Sequence, residues 1–227
     1  MVNGKNKKIQ KLVKIPSTTV ARLPLYLRCL KNIQDEKTSL VSSFELARLS
    51  GHNAAQLRKD LSYLGEFGTR GVGYEVDELV RQISKWLGTA SVRSVAVVGA
   101  GHLGQALCNY HAFINKGFKI SALYDNDKDK VGKKVGEIDV KHISQLASGV
   151  LDGPIDIGVI AVPARAAQDV ATQMVEAGVK SILNFAPAKI KVRKGICVRN
   201  LDFSTQLQII GFHLASVEHG LTSECCD

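Results

Sequence analysis

The sequence has no long hydrophobic run, and this absence argues against a membrane-spanning protein. No apolar stretch in its 227 residues approaches the roughly 18 residues that a membrane helix needs. The N-terminal stretch Met1–Lys8 is polar, and no apolar segment of a signal peptide follows it. We therefore expect a cytoplasmic location. With 45% apolar and 22% charged residues, the chain has the composition of a globular protein of one or two domains.

The sequence also lacks the spacing of a metal site or a redox pair. Its five cysteines include no Cys-x-x-Cys, and no histidine stands at a zinc-ligand spacing, so we expect no metal. An odd number of cysteines in a cytoplasmic protein indicates reduced thiols that mostly pack in the core. Cys225 and Cys226 are adjacent near the C-terminus, and for these we favour a tail without function over a response to oxidants.

Charge is unevenly distributed along the chain. Residues 1–91 hold 15 Lys and Arg against eight Asp and Glu, whereas residues 92–227 hold 15 against 13. A lysine-rich arm at 1–14 belongs to the basic part. A basic N-terminal domain suggests a polyanion as its partner, and a solvated charged face is the alternative.

The centre of the sequence carries a glycine pattern that predicts a dinucleotide site. The apolar run Ser94–Val98 is typical of a buried strand, and Gly-x-Gly-x-x-Gly follows it. A strand, a tight turn and a helix N-terminus in this order can hold a phosphate. A second strand ends at Asp125, about 20 residues past the last glycine, where a carboxylate meets ribose hydroxyls. The predicted loop consists of Gly99, Ala100, Gly101, His102, Leu103 and Gly104.

Residues 92–200 alternate short apolar strands with amphipathic helices. We predict strands at 119–124, 155–162 and 181–185, and helices at 105–113, 142–151 and 165–176. The alternation predicts an α/β fold with a Rossmann-like, doubly wound parallel sheet that helices cover on both faces. Ligands of such sheets bind beyond the carboxyl ends of the strands. Besides Asp125 and the glycine loop, the residues expected at this edge are Val162, Pro163, Asn184, Phe185 and Ala186.

Residues 15–88 have the pattern of a winged helix-turn-helix. An amphipathic helix begins near Thr18, and Pro24 is expected in the first turn of its main part. Ser42 and Asn53 are expected to cap two further helices, the second running over 54–64. This second helix presents a polar, cationic face of the kind that enters a major groove, although many helical hairpins look similar. The face consists of Gln56, Arg58, Lys59, Ser62 and Tyr63.

A glycine-rich stretch over 65–74 follows that helix. Four glycines around Arg70 predict a tight hairpin, the wing, with Arg70 at its tip in a minor groove. The alternative is a surface turn that only connects two elements. Asp77 is expected to cap the next helix, which ends at Gly88. Together with Ser43, the predicted DNA contacts in and around the wing are Gly68, Arg70, Gly71 and Gly73.

Residues 201–218 predict a helix that is apolar almost all round. Apolar side chains such as Leu207, Ile210 and Phe212 point in different directions from its axis. An exposed helix of this kind is an association site. We expect a homodimer in which this dimerisation helix packs against the partner or is exchanged with it.

The sequence favours a sensor over an enzyme. A dehydrogenase needs a substrate domain and a group that transfers the proton accompanying hydride, and neither is evident. His102 lies in the glycine loop beside the expected phosphates, where a general acid would be misplaced. Two alternatives stay open: an NAD-dependent oxidoreductase with a basic N-terminal appendage, and a regulator that binds another nucleotide such as coenzyme A.

Six strings carry a resemblance to a known family over residues 15–218. They are Val-Ala-Arg-Leu at 20–23, Gln-Leu-Arg-Lys-Asp-Leu-Ser-Tyr at 56–63, Gly-Thr-Arg-Gly-Val-Gly-Tyr at 68–74, Gly-Ala-Gly-His-Leu-Gly at 99–104, Asn-Phe-Ala-Pro at 184–187 and Asn-Leu-Asp-Phe at 200–203. Together they resemble the Rex family of redox-sensing transcriptional repressors. The resemblance implies a homodimer that binds a palindromic double-stranded DNA operator and releases it when NADH binds, with NADH and NAD⁺ as regulatory ligands.

The resemblance also implies roles for four residues. Arg22, Tyr110 and Asp202 match a network that couples the two domains. Phe203 matches a residue on a domain-swapped C-terminal helix that reaches the nicotinamide pocket of the partner.

Overall fold

The computed structural model describes residues 14–65, 67–68, 71–149 and 153–218. The chain divides into two compact units, Met1–Ser91 and Val92–Asp227, here called the N-terminal and the C-terminal unit. In the described ranges no helix is both long and apolar enough to cross a membrane. Residues 1–13 of the predicted basic arm, Arg70, Cys225 and Cys226 lie outside these ranges.

The described part of the N-terminal unit contains four helices and a two-stranded sheet. In chain order the elements are α1 (Ser17–Asp35), β1 (Leu40–Val41), α2 (Ser43–Leu49), α3 (Ala54–Ser62), β2 (Tyr74–Glu75) and α4 (Val76–Trp86). Apolar residues spaced three and four apart turn one face of α1 into the core, where Leu23, Tyr26 and Leu30 are buried. They form one apolar cluster with Leu46 of α2 and Leu57 of α3.

Helix α1 runs through Pro24 without interruption, so the expectation that Pro24 begins the main helix is wrong. A proline inside a helix removes one main-chain hydrogen bond. Pro24 lies on the exposed side of α1, while Leu23 and Tyr26 beside it are buried. Packing of the apolar face therefore keeps the helix continuous.

The predicted helix-turn-helix and both of its caps are confirmed. Ser42 Oγ accepts a hydrogen bond from the main-chain N–H of Glu45 at 3.1 Å. Asn53 Oδ1 accepts one from the N–H of Gln56 at 2.8 Å. Gly51, between the two helices, has a φ of 71°, a conformation that glycine adopts at little cost.

The wing is described only in part, because Glu66, Thr69 and Arg70 lie outside the described residues, so the hairpin with Arg70 at its tip stays a prediction. Strand β2 pairs antiparallel with β1, which precedes α2, and not with a strand inside 65–74. Gly68, Gly71 and Gly73 all have positive φ, so the main chain does not have the conformation of a regular strand at these three positions.

Asp77 does not cap α4. Strand β2 leads directly into the helix, so Glu75 occupies the cap position and α4 begins at Val76. Asp77, in the first turn, instead accepts a hydrogen bond from Gln34 Nε2 of α1 at 2.7 Å.

In the described part of the C-terminal unit, seven strands form one sheet. The elements are β3 (Arg93–Val98), α5 (His102–Cys108), β4 (Phe118–Asp125), β5 (Lys134–Val135), β6 (Ile138–His142), α6 (Leu146–Gly149), β7 (Ile157–Ile160), α7 (Ala164–Glu176), β8 (Ser181–Asn184), β9 (Cys197–Asn200) and α8 (Phe203–Glu218). The strand order is β5-β6-β4-β3-β7-β8-β9, and only β5 runs antiparallel to its neighbour. The chain winds outward from β3 in both directions, which confirms the doubly wound sheet and places its switch point between β3 and β7.

Several elements of this unit differ from their predictions. The helix predicted at 105–113 is α5, which ends at Cys108, followed by a 3₁₀ helix over His111–Lys116. The start of the helix predicted at 142–151 is the end of β6, and α6 spans only Leu146–Gly149. Strands β5, β6 and β9 were not predicted. Strands β5 and β9 are short and largely exposed and so lack an apolar pattern.

The two faces of this sheet are covered unequally. Helix α7 packs on one face, where Met174 lies in a cluster with Ile160 and Ile182. The connection from β8 to β9 contains no helix and packs on that same face through Ile190 and other apolar side chains. On the opposite face an apolar cavity of about 310 Å³ stays open over β7, β8 and β9. The prediction that helices cover both faces is therefore wrong for this half of the sheet.

Helix α8 begins with a side-chain cap and is exposed along its apolar length. Asp202 accepts hydrogen bonds from the N–H of Ser204 at 2.9 Å and from Thr205 Oγ1 at 2.8 Å. Among the described residues, six apolar side chains of α8 are each more than 40% exposed: Phe203, Leu207, Ile209, Ile210, Phe212 and Leu214. The helix thus has the uncovered apolar surface that its sequence predicts.

Candidate functional site

The glycine loop joins β3 to α5 by close main-chain contacts. Gly99 has a φ of 108°, and a Cβ there would overlap the carbonyl oxygen of Ala161. A Cβ at Gly104 would overlap the carbonyl oxygen of Gly99. At Gly101, by contrast, no described atom lies within 4 Å of the place that a Cβ would occupy. The loop is closed on the protein side and open over Gly101, as a main chain that approaches a phosphate must be.

Asp125, at the end of β4, holds this loop from behind. Its Oδ2 accepts a hydrogen bond from the N–H of Ala100 at 2.7 Å, and its Oδ1 accepts one from the N–H of Asp127 at 2.9 Å. Lys130 Nζ lies 3.3 Å from Oδ2. Burial opposes ionisation of this carboxyl, which is 6% exposed, but the two N–H groups and Lys130 outweigh burial and lower its pKa.

A cavity of about 360 Å³ lies beside Asp125 at the carboxyl edge of the sheet. It is bordered by Val162 and Pro163 after β7 and by Arg165 in the first turn of α7. The structure therefore brings the end of β4 and the end of β7 to one cavity, as expected for ligands of a doubly wound sheet.

Asn184 and its neighbours form the next part of this edge. The Asn184 side chain is fully buried, and it donates to the carbonyl oxygens of Ala186 and Ala188 at 3.1 and 2.9 Å and accepts from the N–H of Ala186 at 3.0 Å. Its amide therefore shapes the turn after β8. Phe185 follows, and its ring centroid lies 5.8 Å from that of Phe203.

In the N-terminal unit, Arg58 of α3, Ser43 of α2 and the wing glycines border one concavity of about 400 Å³. Arg58 lies on its wall and donates from Nη1 to Ser43 Oγ at 3.0 Å. Gly68, Gly71 and Gly73 border the same space.

Three more polar residues of this face lie at or just after the end of α3. Lys59 and Ser62 are exposed, and Tyr63 is half-buried. The Ser62 hydroxyl donates to the carbonyl oxygen of Lys59 at 2.7 Å.

A buried polar cluster centred on Asp60 was not predicted. Asp60 of α3 is fully buried and accepts hydrogen bonds from four side chains. These donors, at 2.6 to 2.9 Å, are Thr19, Arg22, Tyr26 and Gln56. Burial alone would raise the pKa of Asp60, but the four donors, Arg22 foremost, outweigh burial and hold that pKa far below its ordinary value. Burial and Asp60 together raise the pKa of Tyr26.

The three residues that the resemblance assigns to interdomain coupling each have a partner within their own unit. Arg22 is paired with Asp60. The ring centroids of Tyr110 and Phe113 are 4.9 Å apart. Asp202 caps α8. Their coupling stays a prediction. No three His, Cys, Asp or Glu side chains of the described residues are grouped as a metal site would require.

Comparison with known proteins decides the family. The chain is 52% identical over 199 residues to the redox-sensing transcriptional repressor Rex of Streptomyces coelicolor, a match that covers 88% of this chain and 77% of that protein. This chain belongs to the Rex family. A Rex-family repressor called RSP, crystallised in complex with β-NAD⁺ and operator DNA, has 33% sequence identity and a TM-score of 0.86, over 90% of this chain and 94% of that one.

Other comparisons agree with membership of the Rex family. RSP in complex with β-NADH matches with a TM-score of 0.79 and 31% identity, over 92% of this chain and 97% of that one. The family model "Putative DNA-binding protein N-terminus" matches residues 14–62, and the model "CoA binding domain" matches residues 91–188. The Rex resemblance and the fold class predicted from the sequence are thereby confirmed.

Proposed function

We propose that this Rex-family protein is a repressor that binds a palindromic operator when NADH is scarce and releases it when NADH binds. The observation that carries the proposal is the likeness to RSP over nine-tenths of the chain. One structure of RSP contains both operator DNA and NAD⁺, and another contains NADH. The chain's own glycine loop and helix-turn-helix supply a candidate site for each ligand.

Residues 15–88 serve as the DNA-binding domain in this proposal. Helix α3 enters the major groove, and the exposed cations Arg58 and Lys59 supply the attraction to phosphates and base edges. The concavity shared by Arg58 and the wing glycines supports simultaneous contact of helix and wing with one duplex. The DNA contacts that we assign are Ser43, Gln56, Arg58, Lys59, Ser62, Tyr63, Gly68, Arg70, Gly71 and Gly73.

Residues 92–200 serve as the NAD(H)-binding domain. The main chain of the glycine loop would hold the pyrophosphate at the start of α5, and Asp125 would accept a hydrogen bond from a ribose hydroxyl. A carboxylate at this place also repels a 2′-phosphate, so NADPH is expected to bind more weakly than NADH. The turns after β7 and β8 and the Phe203 ring would border the nicotinamide. We infer that the hydride is not transferred and that the bound dinucleotide acts as a signal.

We infer a homodimer formed through α8, residues 201–218. Helix α8 exposes large apolar side chains, and an open apolar cavity lies over β7, β8 and β9. Exposed apolar surface that forms a continuous patch marks an association site. Exchange of α8 between two chains would cover both and would bring Phe203 to the site of the partner. Two α3 helices then read two half-sites, and rotation of one subunit against the other changes their spacing.

The test is a titration of operator binding with each dinucleotide. A duplex selected from a random library is labelled, and its binding is followed by fluorescence anisotropy while NADH, NAD⁺ or NADPH is added. NADH is expected to release the DNA at concentrations where NAD⁺ and NADPH do not. Because coupling is reciprocal, the operator must weaken NADH binding by the same factor. Equal NADH affinity with and without operator would refute the proposal.

A single substitution separates the two domains. Arg58→Ala is expected to weaken operator binding by about 1–3 kcal/mol, because it removes a charged contact from the groove face of α3. NADH binding, measured by calorimetry, should not change. An NADH-consuming activity that needs the loop but no DNA would favour the oxidoreductase alternative instead.

A further inference from the structure

Gln56 and Asp60 lie one helical turn apart on α3, and the carboxylate fixes the orientation of the amide. Gln56 Nε2 donates to Asp60 Oδ1 at 2.9 Å. An ionised carboxylate accepts hydrogen bonds and donates none. The nitrogen end of the Gln56 amide can therefore face Asp60, whereas the oxygen end cannot.

Asp60 is kept ionised by the residues of α1. Arg22 donates from Nε to Oδ2 at 2.6 Å and from Nη2 to Oδ1 at 2.8 Å. Tyr26 and Thr19 add one hydrogen bond each, both at 2.8 Å. Because every described contact of Asp60 is with a donor, its protonation or rotation would lose several hydrogen bonds together. The orientation of Gln56 thus depends on a rigid, buried group.

The fixed amide leaves Gln56 with a defined pattern for a ligand. Gln56 is half-exposed in the first turn of α3, at the end that a recognition helix points at base edges. With one Nε2 hydrogen used by Asp60, the Oε1 acceptor and the second Nε2 hydrogen remain. One acceptor beside one donor matches the N6–H and N7 of adenine in the major groove. A reversed Gln56 amide would exchange the positions of the acceptor and the donor, and these groups would no longer match adenine.

We propose that Asp60 is a positioning residue for base recognition: by fixing the Gln56 amide it determines which base α3 accepts at one position of each operator half-site. This inference rests on the proposed operator binding and deepens it. Arg58 provides an internal comparison, because it is held by Ser43 on the exposed side and has no contact with Asp60 among the described residues.

The experiment compares base preferences of full-length variants on a library of duplexes about 30 base pairs long with random sequence. Bound DNA is sequenced for the wild type and for Gln56→Ala, Asp60→Asn and Arg58→Ala. The matched control is Thr19→Val, which removes another hydrogen bond to Asp60 Oδ1 without touching Gln56.

We expect Gln56→Ala and Asp60→Asn to lower the preference at the same half-site position by about tenfold, the size of one bidentate base contact. The half-site position at which Arg58→Ala loses its base preference should keep that preference in Asp60→Asn. Thr19→Val should keep the base preference at every position of the half-site. An unchanged preference in Asp60→Asn at the position that Gln56→Ala loses would overturn the inference, as would a loss spread evenly over the site. If the wild type enriches no sequence at all, operator binding itself fails, which is a separate and recognisable result.

A second measurement covers the case in which Asp60→Asn does not fold. In the wild type, nuclear magnetic resonance of the Gln56 side-chain amide, assigned by its loss in Gln56→Ala, reports hydrogen exchange at Nε2. We expect exchange at least tenfold slower than in an unstructured glutamine peptide. Exchange at the peptide rate would overturn the inference without any variant of Asp60.

Discussion

The two units each contain a buried carboxylate, and the groups around the two carboxylates differ. Asp60 accepts hydrogen bonds only from side chains, supplied by α1 and α3. Asp125 accepts mainly from main-chain N–H groups, one in the glycine loop and one in its own turn. The first therefore joins two helices and orients a helix surface. The second shapes a loop and borders a cavity.

The charges opposite the two carboxylates also differ. Asp60 faces the guanidinium of Arg22 within the core of the N-terminal unit. Asp125 faces Lys130, whose ammonium is more accessible to water. Solvent weakens an ion pair, so the pair at Asp60 contributes more to the fold. An aspartate thus stabilises a helix pair at position 60 and stabilises a loop beside a cavity at position 125.

The largest expected effect is that of Asp60→Asn on the stability of the N-terminal unit. The substitution removes the charge opposite Arg22 and turns an amide NH₂ toward one of its donors. Removing one partner of a buried ion pair costs about 3–5 kcal/mol. Denaturant unfolding followed by the fluorescence of Trp86, the single tryptophan of the sequence, measures this cost, because Trp86 ends α4.

Asp77→Asn is the matched control for that measurement. Asp77 is exposed and accepts one described hydrogen bond, from Gln34. The free energy of unfolding of the Asp77→Asn protein should therefore stay within about 0.5 kcal/mol of the wild type. Equal unfolding midpoints for Asp60→Asn and Asp77→Asn would remove the distinction between a buried and an exposed carboxylate in this unit.

The same change at Asp125 should affect a ligand more than the fold. Asp125→Asn keeps an acceptor for the N–H of Ala100 but loses the charge that a ribose hydroxyl would meet. A hydrogen bond to a charged group contributes about 1.5–3 kcal/mol, so NADH affinity should fall by about tenfold or more in calorimetry. The C-terminal unit, which contains Asp125, should stay folded, as measured by far-ultraviolet circular dichroism. Asp129→Asn, an exposed change in the same loop, is the control, and equal NADH affinities in the two variants would contradict the role of Asp125.

The pH dependence of stability distinguishes the carboxylate at Asp60 from its amide variant. The pKa of Asp60 is lower in the folded protein than its ordinary value of about 3.9, so the folded state binds the proton less well. The resulting stabilisation is complete above that ordinary value and is lost as the pH falls below it. The difference in unfolding free energy between wild type and Asp60→Asn should be constant from about pH 7 to 5 and should narrow below about pH 4. A difference that persists undiminished at pH 3 would show that the charge is not its cause.

The smallest expected effect is that of Ser43→Ala. It removes the exposed hydrogen bond at 3.0 Å that holds Arg58. One such bond contributes about 0.5 kcal/mol, so operator affinity should fall about twofold in anisotropy titrations. A loss of tenfold would mean that the assigned contact of Ser43 with the DNA contributes more to operator affinity than its hydrogen bond to Arg58 does.

Elements with a clear apolar period could be predicted from the sequence, and α7 and β3 lie close to their expected places. The Asp60 cluster was missed because three of its donors lie 34 to 41 residues away along the chain. One signal was present: Asp60 has the spacing of Leu57, Leu61 and Leu64, so it belongs to the buried face of α3 and not to its polar face.

The open half of the sheet could not be predicted for a different reason. The stretch between β8 and β9 has apolar residues at alternate positions, which local patterns do not assign to either face of a sheet. It packs on the side of α7 through Ile190, Val192 and Ile196. The glycine loop, in contrast, was predictable because main-chain contacts at Gly99 and Gly104 leave no room for a Cβ.

The exposed apolar surface of α8 has a consequence for how cells make this protein. A newly synthesised chain carries Leu207, Phe212 and Leu214 in contact with water until another surface covers them. If a second copy does so, assembly is second order in the amount of chain. A subunit with an intact α8 and a defective α3 would then enter mixed dimers and disable normal copies, so such alleles should act as dominant negatives.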